Sequence, residues 1–442
     1  METIILLAFA CLVLFFSLTG RSTIYALLIG FMMFATFACY QKHSPKEILK
    51  TSLQGLYKVR NIIILFFLIG SLTASWRAAA TIPTIIYDTS SWLHPKFMLL
   101  MCFLLNCGMS FLTGSSFGTV ATLGTITMGI ANTMGINPLF SGGAILSGIF
   151  FGDRCSAVST SAMLVSELTG TELYTNIRNM IHSAFVPFVM TSLLYLLLGL
   201  TGSGNASAST QMTADFPIWY HIHWVNLLPA IIILVCSVCK VSVKLTLLFS
   251  ILCGCILSIV VQGVPAGELL QFLVSGYRAS NEQAGALFNG GGITSMLRVM
   301  AIVSISSTYS GLFAMTGLLR PVAEVIRRIA KKASKFTATL TASCLSALIS
   351  CNQSLSILLT EDLCKSFQED KYELACDMED SVVLIAALVP WSIAGAVPVA
   401  ALGAPVSCLF FAFYLYLVPL YRMVKSLLFR QAGAALTQSA QP

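Results

Sequence analysis

The sequence predicts an all-α fold: a polytopic helical membrane protein with two inverted-topology repeats and interrupted helices or re-entrant hairpins. Three observations predict it. Hydrophobic residues make up 57% of the 442 positions and charged residues only 10%. Apolar runs such as IILLAFACLVLFFSLTG, NIIILFFLIGSLTASW and VSCLFFAFYLYLVPLY recur from Ile4 to Tyr421, and each approaches the ~20 residues that cross ~30 Å of hydrocarbon. Polar interruptions of these runs fall in the same order in both halves of the chain, and the charge pattern makes the two halves approach the membrane from opposite sides.

Taken in order, the first apolar run opens with Glu2 and lacks both the basic start and the cleavage site of a secretory signal, so a retained helix is expected near 3–20. Helices near 22–40 and 61–81 flank a basic loop holding Lys42, Lys46, Lys50, Lys58 and Arg60. A second basic cluster runs from Arg320 to Lys335, and Arg422, Lys425 and Arg430 form a third. Such clusters favour the cytoplasmic side. The polar stretch from Thr201 to Trp224 contains no Lys or Arg and is expected outside, as is the loop from Pro83 to Pro95. Helices near 225–240, 244–262 and 294–318 complete the charge map. The net charge of +7 is accounted for by this topology, and no nucleic-acid partner is expected.

The resulting organisation is an N-terminal helical pair with a cytoplasmic loop (1–60), a first transport repeat (61–200), an external loop (201–224), connecting helices with an amphipathic segment (225–293), a second transport repeat (294–424) and a cytoplasmic tail (425–442). Most of the fourteen Cys lie in apolar segments, as small core residues rather than disulfides or metal ligands. The WYHIHW stretch around His221 and His223 reads as an interfacial aromatic belt. Arg77 and Arg298 read as anion contacts or snorkelling side chains, and Glu167 and Glu172 as loop residues.

The polar breaks carry the chemistry. In the first half FLTGSSFGTVATLG begins at Phe111 and GDRCSAVSTSAM at Gly152. In the second, ALISCNQSLSILLTED begins at Ala347 and EDSVVLIAALVPWSIAGAVP at Glu379. Inverted-repeat transporters build their sites where interrupted helices of the two halves meet. Asp153 would cost about 2.5–3.5 kcal/mol at the centre of a membrane helix, so it must face a cavity or a partner. With Ser156, Ser159 and Thr160 it offers a carboxylate among neutral oxygens, suited to a small hard cation or a proton. The alternative is an ion pair with Arg154 and hydroxyls that only pack helices. Gly114, Ser115 and Ser116 should unwind the chain, and Asn352, Gln353 and Ser354 are their counterpart. Pro390 should free a carbonyl beside Trp391 and Ser392. Asp380 and Ser381 precede that break. The acidic residues Glu369, Asp370, Glu373, Asp377 and Glu379 read mostly as a solvated connection.

These motifs resemble a family. FGDRCSAVSTSAMLVSELTG and LTGSSFGTVATLG are similar to the first-half signatures of NhaC-type sodium/proton antiporters, and CNQSLSILL and ALVPWSIAG to the second, in order from Asn106 to Gly403. The resemblance implies a secondary active transporter exchanging sodium ions for protons by alternating access, in the ion-transporter class with inverted repeats. Three positions depart from the family pattern: Thr160 stands where an acidic residue is usual, Ser392 where an amide is, and Cys351 where glycine is. Exchange of organic anions or amino acids on the same fold is the alternative. An intramembrane aspartyl protease using Asp88 and Asp153 is remote, because Phe150 occupies a position where that motif needs glycine. The expected protein is therefore not an enzyme. It has no cofactor, transports sodium and protons with transient sodium at Asp153, and spans a bacterial cytoplasmic membrane. Its expected partners are the lipid bilayer, small ions or a carboxylate solute, and a second copy in a homodimer.

Overall fold

The computed structural model describes residues 22–90, 94–157, 159–201, 215–239, 241–316, 320–350 and 352–439, with residues 4–5, 8–9, 11–12 and 15–16 ahead of them. The helix expected near 3–20 therefore lies largely outside the described residues, as does most of the loop expected from Thr201 onward.

Helix α1 (Thr23–Tyr40) leads into α2 (Pro45–Lys58), so the basic segment expected as a loop is mostly helical. The reason is local: Ser44 and Glu47 form a capping box and Pro45 occupies the first turn, which satisfies N–H groups that a helix start leaves open. α3 (Arg60–Ala78) and α4 (Thr81–Ser90) follow. α5 (Pro95–Thr113) ends at Gly114, whose φ of 61° is the left-handed conformation glycine adopts without steric cost. The chain then reverses through α6 (Ser116–Thr119), a π-helical turn Val120–Gly124 and α7 (Thr125–Thr133). α8 (Pro138–Cys155) and α9 (Thr160–Thr169) form an interrupted pair, and α10 (Leu173–Thr201) closes the first half.

α11 (Leu228–Val238), α12 (Val243–Val260) and α13 (Ala266–Ser275) connect to α14 (Gly292–Thr316), α15 (Arg320–Lys332), α16 (Lys335–Ser350) and α17 (Gln353–Cys364). α18 (Lys371–Glu379), α19 (Val382–Leu388), α20 (Ile393–Leu402) and α21 (Phe413–Ser439) complete the chain. The tail expected from 425 thus continues a helix. Among the described residues five helices are long and apolar enough to cross a membrane, and Lys371–Leu388 with Ile393–Leu402, bent by 54°, makes a sixth.

Side-chain contacts give the helix directions. Asn106 bonds Thr127 at 3.0 Å and Thr113 bonds Thr119 at 3.0 Å, so α5 and its return arm form a hairpin. Gly148 and Gly152 of α8 lie against Phe103 and Ser110 of α5, where a Cβ at Gly152 would fall 2.0 Å from the Ser110 carbonyl carbon; the two helices run parallel, held close by a G-x-x-x-G pair. The second half repeats this frame. Ser350 meets Ser356 and Thr339 meets Cys364, making α16 and α17 a hairpin. Ser343 bonds Ser381 and Trp391 bonds Leu348, so the α18–α19 helix runs parallel to α16.

The order two helices, hairpin, interrupted helix and closing helix therefore occurs twice. α2 and α3 both run antiparallel to α14, with Gly55 on Ser307 and Gly70 on Gly292, so the two copies are inverted. They also interlock: α9 packs on α17, and α20 packs on the π turn of the first return arm. Gly199 touches the Lys96 backbone and Lys371 bonds the Gly170 carbonyl. The start of α5 and the end of α10 thus share one end of the bundle, and the α9–α10 turn and the start of α18 share the other.

Candidate functional site

Four helix starts surround the centre, and each begins with an extended residue: Ser115, Ser159, Asn352 and Ser392. Three cap their helices through side chains, Ser115 to Gly118 N–H, Ser159 to Ala162 N–H and Asn352 to Ser354 N–H. Short polar residues at these points make the unwinding stable, because they satisfy the first N–H groups that the break exposes.

Asp153 lies in the last turn of α8, 4% exposed. Its carboxylate accepts a 3.0 Å hydrogen bond from Gln353 Nε2, whose amide also donates to the Val383 carbonyl at 3.0 Å. The Ser116 backbone N–H and the Ser161 hydroxyl complete its surroundings. One carboxylate thus touches the first break through Ser116 and the second through Gln353. Ser159 and Ser161 both donate to the Asp153 carbonyl, which fixes the backbone where α8 ends.

Arg154 is not the partner of Asp153. The guanidinium, fully buried, pairs with Asp380 of the opposite half and also donates to Ser183 Oγ at 2.8 Å, the Met180 carbonyl at 3.2 Å and the Tyr414 hydroxyl at 3.2 Å. Asp380 accepts further bonds from Ser183 and Cys376. Next to it Arg422 holds Asp377 through Nε at 3.2 Å and Nη2 at 3.0 Å. A cavity of about 710 Å³ reaches this group from the end of the bundle where α18 starts, bordered by Arg178, Ser183, Asp370, Cys376 and Arg422.

This interrupted, interlocked arrangement has a match. The family model described as the Na+/H+ antiporter family covers residues 148–427, more than half of the chain and every residue from Asp153 to Arg422. The chain belongs to the Na+/H+ antiporter family. Among its relatives are the Na(+)/H(+) antiporter NhaC of Alkalihalophilus pseudofirmus, 27% identical over 89% of this chain and 87% of the relative, and the malate-2H(+)/Na(+)-lactate antiporter of Bacillus subtilis, 27% identical over 79% and 77%. The arginine/ornithine antiporter ArcD of Halobacterium salinarum is 27% identical over 78% of this chain and 73% of its own. The protein is accordingly a multi-pass cell-membrane transporter and not an enzyme; Asp88 is exposed whereas Asp153 is buried.

Within this antiporter the residues singled out in the sequence separate into groups. Asp153, Ser116 and Gln353 meet directly, and Ser159 supports them. Gly114, Ser115 and Asn352 shape the breaks. Ser156 turns to the Phe111 carbonyl at 2.7 Å, Ser381 to Ser343 and the Asp377 carbonyl, and Trp391 to the Leu348 carbonyl at 3.1 Å. Ser392 is buried with no hydrogen-bond partner for Oγ among the described residues. Thr160 and Ser354 are exposed and contribute no bond to the carboxylate.

Two sequence expectations need correction. Asp380 is not the counterpart of Asp153: the interruption beginning at Ser156 corresponds to the one beginning at Val389, and the position three residues before it is Ala386. The acidic stretch is a solvated connection only in part: Glu369, Asp370 and Glu373 are exposed, but Asp377 and Glu379 are each 1% exposed. α18 packs against α9, α10, α16 and α17, and its last turns leave Asp377 and Glu379 no solvent to face. The missed signal is the apolar spacing of Leu374, Ala375, Cys376 and Met378 between those acids, which continues the run after Ser381. Ser161 is one of the hydroxyls that follow Asp153 in the sequence, whereas Arg154 and Glu379 are residues of this centre that reading the sequence placed elsewhere, as a partner of Asp153 and as part of a solvated connection.

Proposed function

We propose that this protein exchanges sodium ions for protons by alternating access, with Asp153 as the carboxylate that both ions use. The observation that carries the reading is the contact set of that side chain: it is buried, it has no cationic partner among the described residues, and it touches both interrupted segments through Ser116 and Gln353. An ionised carboxylate without a counter-charge is costly in this setting, whereas a proton or a sodium ion neutralises it. Because one group serves both ions, they compete, and competition at one site is enough to couple their opposite movements. The neutral oxygens near it, from Ser161 and the carbonyls freed at the breaks, suit a hard cation.

Purified protein in vesicles with an internal pH dye, challenged in turn with sodium, lithium, potassium and a panel of carboxylates, tests this reading. Sodium should move protons and Asp153→Asn should not support that movement. Proton flux driven by sodium in the Asp153→Asn protein at the normal rate would end the proposal. Exchange of a carboxylate solute is the second reading, favoured by the arginines Arg178 and Arg422 on the large cavity. Transport of a carboxylate without sodium dependence would establish it instead.

A further inference from the structure

Four carboxylates are buried around the C-terminal ends of α8 and α18: Asp153, Asp377, Glu379 and Asp380. Only two guanidinium groups serve them. Arg154 is committed to Asp380 and Arg422 to Asp377. Asp153 has its amide and hydroxyl donors, but Glu379 has none: neither of its carboxylate oxygens has a hydrogen-bond partner among the described residues, and the side chain is 1% exposed. Burying a bare carboxylate costs several kcal/mol even after relaxation, roughly the scale that removes one partner of a buried pair. A group in that position holds a proton or shares a cation.

We infer that Glu379 is a second coupling carboxylate, binding one proton beyond the one bound at Asp153, so that two protons enter for each sodium ion that leaves. This rests on the exchange proposed for Asp153 and extends it to the opposite half. Glu379 lies within charge range of Arg154, Asp153 and the Cys155 thiol at the end of α8, and of Asp380 beside it in the chain. The two carboxylates left without an arginine therefore come one from each half and lie close enough to feel each other's charge. With both protonated the pair is neutral. When sodium arrives, both protons leave, one positive charge replaces two, and Arg154 has a donor in reserve, since its Nε–H is the one nitrogen of that guanidinium with no partner among the described residues. Each cycle carries one net positive charge inward.

The test is the sodium gradient at which exchange stops in vesicles, measured at several clamped membrane potentials and one fixed pH gradient. The native protein should reverse at a point that shifts with voltage, as about two protons per sodium ion requires, and Glu379→Gln should retain sodium-driven proton flux while its reversal point ceases to respond to voltage, as for about one. A voltage-independent reversal in the native protein overturns the inference, and so does an unchanged voltage response in Glu379→Gln. Because that variant could fail to fold, and the native protein could exchange another solute, infrared difference spectra of the detergent-solubilised protein supply an independent reading. A protonated-carboxyl C=O band should be present at neutral pH in the native protein and in Asp153→Asn. Its absence from both overturns the inference whatever solute is exchanged, whereas absence of sodium-coupled flux with the band intact removes the proposed exchange and leaves a proton on Glu379.

Discussion

The two halves share a frame and differ in chemistry. In the first, the interrupted helix carries Asp153 three residues before its break; in the second, Ala386 stands at that place and the acids lie further back, at Asp377, Glu379 and Asp380. The first half therefore presents a carboxylate at the point where its helix opens. The second presents an amide, Gln353, to that carboxylate and spends two of its acids on arginines. Inversion duplicated the backbone breaks, but a carboxylate three residues before the break was placed on one side only. An ion at the proposed Asp153 site would be held by both halves without either half holding a complete site, which is what a site that must open to each side in turn requires.

The largest effect should come from the charge itself. Asp153→Asn should insert and fold but lose sodium-driven proton flux, and Ala386→Asp in that background should not restore it, because the second-half position has no Gln353 opposite. Restoration by Ala386→Asp, read in vesicles with a pH dye, would break the asymmetry. Next comes the cross-half pair: Arg154→Met should destabilise the protein by about 3–5 kcal/mol, since it leaves Asp380 buried and unpaired. Arg154→Met combined with Asp380→Leu should recover much of that loss, as thermal unfolding in detergent would measure.

Gln353→Ala removes a donor to a carboxylate, an interaction of about 1.5–3 kcal/mol. An N–H donor favours the ionised form, so the variant should need more alkaline conditions for half-maximal exchange, and a pH series of initial rates checks this. In the native protein the sign is fixed by competition: as pH falls, protons occupy Asp153 and Glu379 and the apparent sodium affinity should weaken, by about tenfold for each unit where one of them is protonated and up to about a hundredfold where both are. A sodium affinity independent of pH would separate the proton site from the sodium site. The smallest contrast is between two neighbours. Ser159→Ala should cost about 1 kcal/mol through its lost cap, whereas Thr160→Ala, on the exposed face, should leave both stability and exchange within the error of the same assays.

Much of the frame was legible along the chain because it follows local rules. Long apolar runs, glycine with serine at 114–116, and proline at 390 each act through the residues beside them, and the helices and breaks formed where they pointed. The basic segment before α3 was misread as loop because charge was counted without its capping box. The acidic segment was misread in part, for the opposite reason: Glu369, Asp370 and Glu373 are solvated as adjacent acids suggest, and only the helices packed around α18 remove the water from Asp377 and Glu379.

What the sequence by itself determined is a membrane protein with interrupted helices, a carboxylate at Asp153 inside an apolar run, and a family resemblance that its relatives support. Which charges neutralise one another was decided by tertiary structure alone. Asp153 and Arg154 are adjacent in the chain, but successive residues on a helix project about 100° apart, so one side chain turns to Gln353 and the other to Asp380, 226 residues away. Pairing of charges depends on distance through space in a medium too apolar to screen them, and that distance exists only once the two inverted halves have closed on each other.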